Sequence, residues 1–311
     1  MSGFFEALVE IFTSESTYIN GALFAAFLAF AATGELVAER AGTINISVEG
    51  MLLGGAFTSA VGYDITGSMI VALFTGVVGG LLVAAVQAEM SHRLSANQFV
   101  VGLTLNILVF GLVGFLDNEL EPVTELAGRW DIPLLSEIPL IGQALFGQRW
   151  PFYFLYLLLP LTWWALYHTR WGLEIRAVGE NPQSADVSGL GVNRRRRQSI
   201  YYAGFTSGLG GWFLIFGAIG LFEDSVVGGR GFIAIAAVIF GGWTLRGTIA
   251  GCVIFAGALS FRLSVQGLGY DVNSELLQSL PFLVTLLGMA VFAHRVRPPA
   301  ALAQPFVRGL R

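Results

Sequence analysis

Residues 68–88 read SMIVALFTGVVGGLLVAAVQA, a run with no charged side chain. An α-helix rises 1.5 Å per residue, so this stretch alone measures roughly 30 Å, the thickness of a bilayer's hydrocarbon core. Working outward with the same ruler, comparable apolar runs occur at 18–38, 44–63, 98–116, 151–168, 199–222, 232–243, 248–263 and 280–293. The expected fold is all-α: a polytopic membrane helical bundle of about nine spans, with eight to ten allowed. One transmembrane domain, 1–311, holds its spans and loops within 17–298. The run 232–243 is too short to cross comfortably, and 248–263 is also short. Broken or re-entrant helices of that kind are tolerated only where protein or a water-filled cavity surrounds them.

Composition points the same way. Of 311 residues, 55% are hydrophobic and 12% charged, against roughly 25% charged in a soluble domain, and mean hydropathy is +0.70. A soluble chain of this size could not hide so much apolar surface, and the 40 glycines suit helices that approach closely in lipid. The lone Cys252 excludes an intrachain disulfide and reads as a small buried hydrophobe. All 17 basic residues are arginine, which we read as codon bias. Residues 1–17 carry Glu6, Glu10 and Glu15 without a basic residue, so no cleavable signal peptide is expected. The spacing of Phe4, Phe5, Leu8, Val9, Ile11 and Phe12 fits either a surface helix or an extension of the first span.

The arginines orient the bundle. With the N-terminus outside, the inward loops hold Arg40, Arg93, Arg170, Arg176, Arg194 to Arg197, Arg246, Arg295, Arg297, Arg308 and Arg311. That is 13 of the 17. The expected topology is therefore N-out, C-in, in the inner (plasma) membrane. The loop 117–150 falls outside. Its acidic excess, its prolines and its apolar runs 132–135 and 138–145 predict an ordered cap on the membrane surface.

The loop 171–198 falls inside. Asn181 is a favoured N-cap, Pro182 is pre-set for a first helical position, and Gly189 can end a helix in left-handed geometry. A two-turn helix over 182–188 is predicted, and so short a helix needs a packing partner. An ordinary capped loop is the plain alternative. No GxxxxGK[ST] phosphate loop is present, so ATP hydrolysis is not expected of this chain.

Gly179-Glu180-Asn181-Pro182, followed by Ala185, Asp186 and Gly189, resembles the cytoplasmic motif of permeases in the branched-chain amino acid, ribose and nucleoside branch of bacterial ABC importers. So do Glu39-Arg40-Ala41-Gly42 with Asn45, Ile46 and Glu49-Gly50-Met51. Ala96-Asn97-Gln98 with Gly102 and Asn106 continues the resemblance, as does the run 229–241. The pattern is closest to nucleoside and simple-sugar permeases, although 241–246 departs from it where an Arg-Trp followed by Asn-Pro is expected. The resemblance implies that Glu180, Asn181, Pro182, Ala185, Asp186 and Gly189 belong to a coupling helix seated in a cytoplasmic ABC ATPase. It also implies a second related permease subunit and an extracytoplasmic substrate-binding protein. No cofactor, metal or nucleic-acid partner is expected.

Polar side chains at membrane depth are costly and are functional candidates. Asn45 and Glu49 share one face of the second span. They either line the path or, for Glu49, bond local backbone or pair with Arg40. Thr104 and Asn106 lie mid-membrane in the fourth span, and Asn106 must contact another helix or face a cavity. Thr206 can bond a preceding carbonyl, and Phe205 could stack on a substrate ring. Trp150, Trp163, Trp164 and Trp171 read as interfacial anchors, as do His168 and His294. An ion-coupled transporter would want a mid-membrane acid, whereas Glu35 and Glu49 lie near a cytoplasmic face. An amino-acid substrate would want charged or helix-end partners for its two ionic groups. Neutral amides and hydroxyls suit a small polar solute, a nucleoside first and a simple sugar second.

Overall fold

Four of the described helices begin on a side-chain cap, supplied by Ser68, Asn97, Thr169 and Asn181. The computed structural model describes residues 10–267 and 297–308, with the isolated positions 279 and 283. The opening helix, α1 (Glu15–Arg40), is followed by α2 (Val48–Thr66), which ends on left-handed Gly67 at φ 63°. Next come α3 (Met69–His92), capped by the Ser68 side chain, and α4 (Gln98–Leu120). The Asn97 side chain accepts from the N–H groups of Phe99 and Val100 at 3.0 and 3.2 Å and starts α4.

After a short α5 (Gly142–Phe146), a 3₁₀ turn (Trp150–Tyr153) leads into α6 (Phe154–His168). The next two helices are α7 (Arg170–Glu180) and α8 (Pro182–Val187). Then α9 (Val192–Phe213) passes into a π-helical stretch, Leu214–Ile219. Last come α10 (Arg230–Phe240) and α11 (Leu245–Gly267). No strand is present among the described residues.

By length and composition, five of these helices can cross a bilayer: α1, α3, α4, α9 with its π stretch, and α11. The others fall short for visible reasons. At 19 residues α2 is long enough, but with Glu49 and Asp64 near its two ends it is not apolar enough. The 15 residues of α6 lean on the 3₁₀ turn before them, and α10 has only 11. Conversely, α11 runs 23 residues where 248–263 was expected. The expected run began after Arg246 and ended one residue past Arg262, whereas the helix takes in Arg246 and continues to Gly267. The expected ninth span, 280–293, lies outside the described residues apart from Leu283, as do residues 1–9 and His294. Within 10–17, Ile11 is buried against Val265 and Phe261 near the end of α11.

The centre of the bundle is α9, packed on α1, α2 and α3. The contact is backbone to backbone. A Cβ built on Gly55 of α2 would lie 2.8 Å from Gly208 Cα, and one on Gly208 would lie 2.6 Å from Gly76 O of α3. Only hydrogen fits at these crossings. The outward face of α3 shows Ile70, Phe74, Val78, Leu82 and Val86 every fourth residue, all exposed. Such a stripe is unfavourable in water and at rest in lipid. Cys252 is buried, as its surroundings in sequence imply.

The segment 117–150 is ordered. Val123 N–H donates to Asp64 at 3.2 Å, Thr124 Oγ1 to Gly220 O at 2.9 Å, and Ala127 N–H to Phe216 O at 2.8 Å. Arg149 Nη1 closes the segment on Ala127 O at 2.7 Å. It therefore covers the ends of α2 and α9. Trp150, expected as an anchor, is instead packed 5.2 Å from the Trp212 ring in the core.

Candidate functional site

The two-turn helix forms where its caps are. Asn181 Oδ1 accepts from Ser184 N–H at 2.9 Å, Pro182 occupies the first position, and Gly189 turns the chain at φ 86°. Leu190 N–H closes the end on Ala185 O at 3.0 Å. Ala185 packs with Val178 and Val192, with Leu190 and Phe306 against them. Outward, Asn181, Gln183, Ser184, Ser188 and Gly189 are exposed, and Val187 is 89% exposed. The result is a rigid knob with a neutral polar tip and one bare aliphatic side chain. Glu180 pairs loosely with Arg40 at 3.8 Å, and Asp186 with Arg308 at 3.1 Å.

The arginine run Arg194–Arg197 fans out around the start of α9. Arg194 is exposed, Arg195 pairs with Glu174, and Arg197 bonds Glu89 of α3 at 2.7 Å. Arg196 is wholly buried. Its role was not legible from the run alone. The signal is the spacing of Val192, Arg196, Ser199, Ile200 and Ala203, which share one buried face.

Two of the path candidates, Asn45 and Asn106, meet at the α1–α2 connection. A non-helical segment at membrane depth leaves backbone groups without partners unless side chains reach them. Here they do. Ile44 N–H donates to Gln98 Oε1 at 3.0 Å, and Asn45 N–H to Glu35 Oε1 at 3.2 Å. Asn106 Nδ2 donates to Ile46 O, and its Oδ1 accepts from Gly50 N–H, both at 2.8 Å. The side chain of Asn45 donates to Glu35 Oε2 at 3.0 Å and accepts from Ser47 Oγ at 2.7 Å. Thr43 Oγ1 meets His92 Nε2 at 2.9 Å.

Glu49 acts on a second interruption. Its two oxygens accept from Gly229 and Gly231 N–H at 2.7 and 2.6 Å, where α10 begins. The far end of α10 is held by Glu39, which accepts from Trp243 Nε1. Glu35, Glu39, Gln98 and Trp243 were not among the sequence candidates; Gln98 meets Ile44 54 positions away and Trp243 meets Glu39 204 positions away, although Glu35 meets Asn45 only ten positions on. The remaining candidates stand apart. Thr206 is buried in α9 and bonds Ala203 O at 3.2 Å. Phe205 is half-buried beside Tyr202, and Thr104 is exposed on the outer face of α4. A cavity of about 690 Å³ between α1, α5, α6 and α11 is lined by Ala25, Phe152, Tyr156 and Gly257 among others, and by none of these candidates.

A family model described as "Branched-chain amino acid transport system / permease component" matches residues 17–289. A nucleoside ABC transporter permease protein of Lactococcus lactis is 32% identical over 91% of this chain and 93% of its own. A guanosine ABC transporter permease protein of Bacillus subtilis is 30% identical, covering 93% and 95%. A relative from Haloferax volcanii, described as a glucose ABC transporter permease protein, is 32% identical, covering 91% and 95%. Among solved structures, a chain described as a metal-chelate type ABC transporter in an inward-facing conformation superposes with TM-score 0.50. At 16% identity it covers 89% of this chain and 85% of its own, which speaks to the fold alone.

Proposed function

The chain belongs to the family of branched-chain amino acid transport system permease components, a multi-pass membrane protein, and from that premise we propose that it is the permease subunit of an ATP-driven importer carrying a nucleoside into the cytoplasm. The observation that carries this reading is the capped knob at α8, a preformed projection whose Val187 side chain is exposed. A cytoplasmic ATPase docks there and supplies the hydrolysis, since this chain has no phosphate loop. A second, related permease completes the pathway, and a substrate-binding protein docks on the acidic 117–150 cap. The nucleoside assignment is supported by the relatives from L. lactis and B. subtilis, and the second reading, a simple sugar, by the one from H. volcanii.

Orientation is part of the proposal. It is supported by the gathering of Arg40, Arg197 and Arg308 with α7 and α8 at one end of the bundle. The opposite end carries Asp64 and the 117–150 cap. The test is uptake in proteoliposomes holding this chain, its ATPase, the second permease and the binding protein. ATP-dependent uptake of a nucleoside is expected. Deleting 182–188, or making Asp186→Arg, should leave the chain inserted while separating ATP hydrolysis from uptake. Concentrative uptake by this chain purified alone would overturn the proposal.

A further inference from the structure

The last described segment, 297–308, does not trail away from the bundle. Ala301 N–H donates to Gly179 O at 2.9 Å, at the end of α7. Ala303 N–H donates to Gly42 O at 3.1 Å, just past α1. From α9, the guanidinium of Arg196 joins two of these parts, the end of α1 and the C-terminal segment. Its Nε donates to Ala41 O at 3.2 Å, Nη1 to Gln304 O at 2.6 Å and Nη2 to Ala301 O at 3.4 Å. A buried arginine is tolerated only when its donors are satisfied, and here the acceptors are backbone carbonyls of two segments more than 100 positions apart in sequence. Farther along, Phe306 packs on the Val178–Ala185–Val192 cluster beneath α8, and its carbonyl accepts from Asn193 Nδ2 at 3.3 Å. Arg308 then reaches Asp186 on α8 itself.

These contacts have a mechanical consequence. By itself, α8 is six residues joined to α7 through Asn181 alone and to α9 through residues 188–191, and a push on its tip would bend these joints first. The strap removes that freedom. It ties the base of α8 to the ends of α1 and α7 and, through Arg196, to the first turn of α9. We infer that the C-terminal segment 297–308, locked by Arg196, is a positioning element that makes α8, α1 and α9 move as one body when a cytoplasmic partner acts on α8. The inference rests on the proposed docking of an ATPase at α8. It predicts that losing the strap changes how much solute moves per ATP, rather than whether the chain inserts or the ATPase turns over.

The experiment compares three chains in the assembled complex in proteoliposomes: wild type, Phe306→Asp, and a truncation lacking 300–311. ATP hydrolysis and solute uptake are measured on the same vesicles. Wild-type uptake driven by ATP is the control. If it is absent, the proposed function fails and the strap has not been reached. With that control in place, both altered chains should hydrolyse ATP but move at least about fivefold less solute per ATP, the lower range of a coupling free energy. Arg196→Lys, which keeps the charge but offers fewer directed donors, should fall between them and wild type. If the truncated chain fails to assemble, Phe306→Asp decides alone, because it leaves the Arg196 bonds in place. A wild-type ratio of uptake to hydrolysis in Phe306→Asp would overturn the inference. So would a parallel loss of both rates, which marks a merely structural role.

Discussion

Asn106 donates to Ile46 O and accepts from Gly50 N–H, so Asn106→Leu leaves two buried backbone groups without partners. Each such loss costs about 1–3 kcal/mol. We expect a lower thermal midpoint in detergent, with transport per folded molecule unchanged. The opposite pattern, unchanged stability with an altered KM for solute, would identify Asn106 as part of the path. Glu49 meets the α10 entry with two carboxylate oxygens. Glu49→Gln keeps the shape, but its NH₂ faces an N–H donor. It should destabilise by about 1–3 kcal/mol, measurable as increased hydrogen exchange at Gly229 and Gly231. An unchanged exchange rate there would sink this reading. At this scale the sequence was half legible. An amide at membrane depth announces that it has a partner, but not that the partner is a loop some sixty positions away.

The helices that follow local chemistry were readable in advance. Asn181, Pro182 and Gly189 specify α8 from within eight positions of one another, and the structure forms it over Pro182–Val187. By contrast, α10 is short because Gly228 and Gly229 precede it in left-handed geometry and Gly242 and Trp243 follow it likewise. Whether such a half-length helix stands in the bundle depends on Glu49 and Glu39, which belong to other elements, so periodicity could not show it. The arginine run misled the apolar ruler for a related reason. Hydropathy excludes 192–198 from the span, although the backbone there is already helical. The tight crossing of α9 over α2 and α3 gives the element-scale prediction. Gly208→Leu would drive a side chain into Gly76 O and the Val77 backbone. The overpacking penalty is about 1–3 kcal/mol or more, and no rotamer relieves contact with backbone. The expected result is a marked loss of folded protein on size exclusion, whereas Gly111→Leu, on an open face of α4, should fold normally. Equal yields would show that α9 does not cross the other two helices so closely.

Across the whole molecule, the two ends of the described chain bear on how often it crosses the bilayer. Thr17 Oγ1 meets Ser264 Oγ at 2.8 Å, and Ile11 lies on Val265, so the N-terminal turn and the end of α11 share one face. At the other face, Ala301 rests on Gly179 and Ala303 on Gly42. Termini on opposite faces support an odd number of crossings, and nine is the odd number within the eight to ten that hydropathy allowed. The half-length α10 counts as part of one crossing. Arg230, at its start, stacks 5.5 Å from the Phe24 ring partway along α1, and Trp243, past its end, reaches Glu39 at the end of α1. The sign of that count, N-out and C-in, is the orientation proposed above from the arginine census. Both statements can be checked with single cysteines in a Cys252→Ser background, since the native thiol is buried and no other is present. Thr13→Cys and Val123→Cys should react with a membrane-impermeant maleimide on intact cells. Val187→Cys and Val307→Cys should react only after the membrane is opened. Labelling of Thr13→Cys and Val307→Cys from the same side would refute the odd count. Labelling of all four with the sides exchanged would refute the orientation while leaving the count intact, and would place α8 where no cytoplasmic ATPase could reach it.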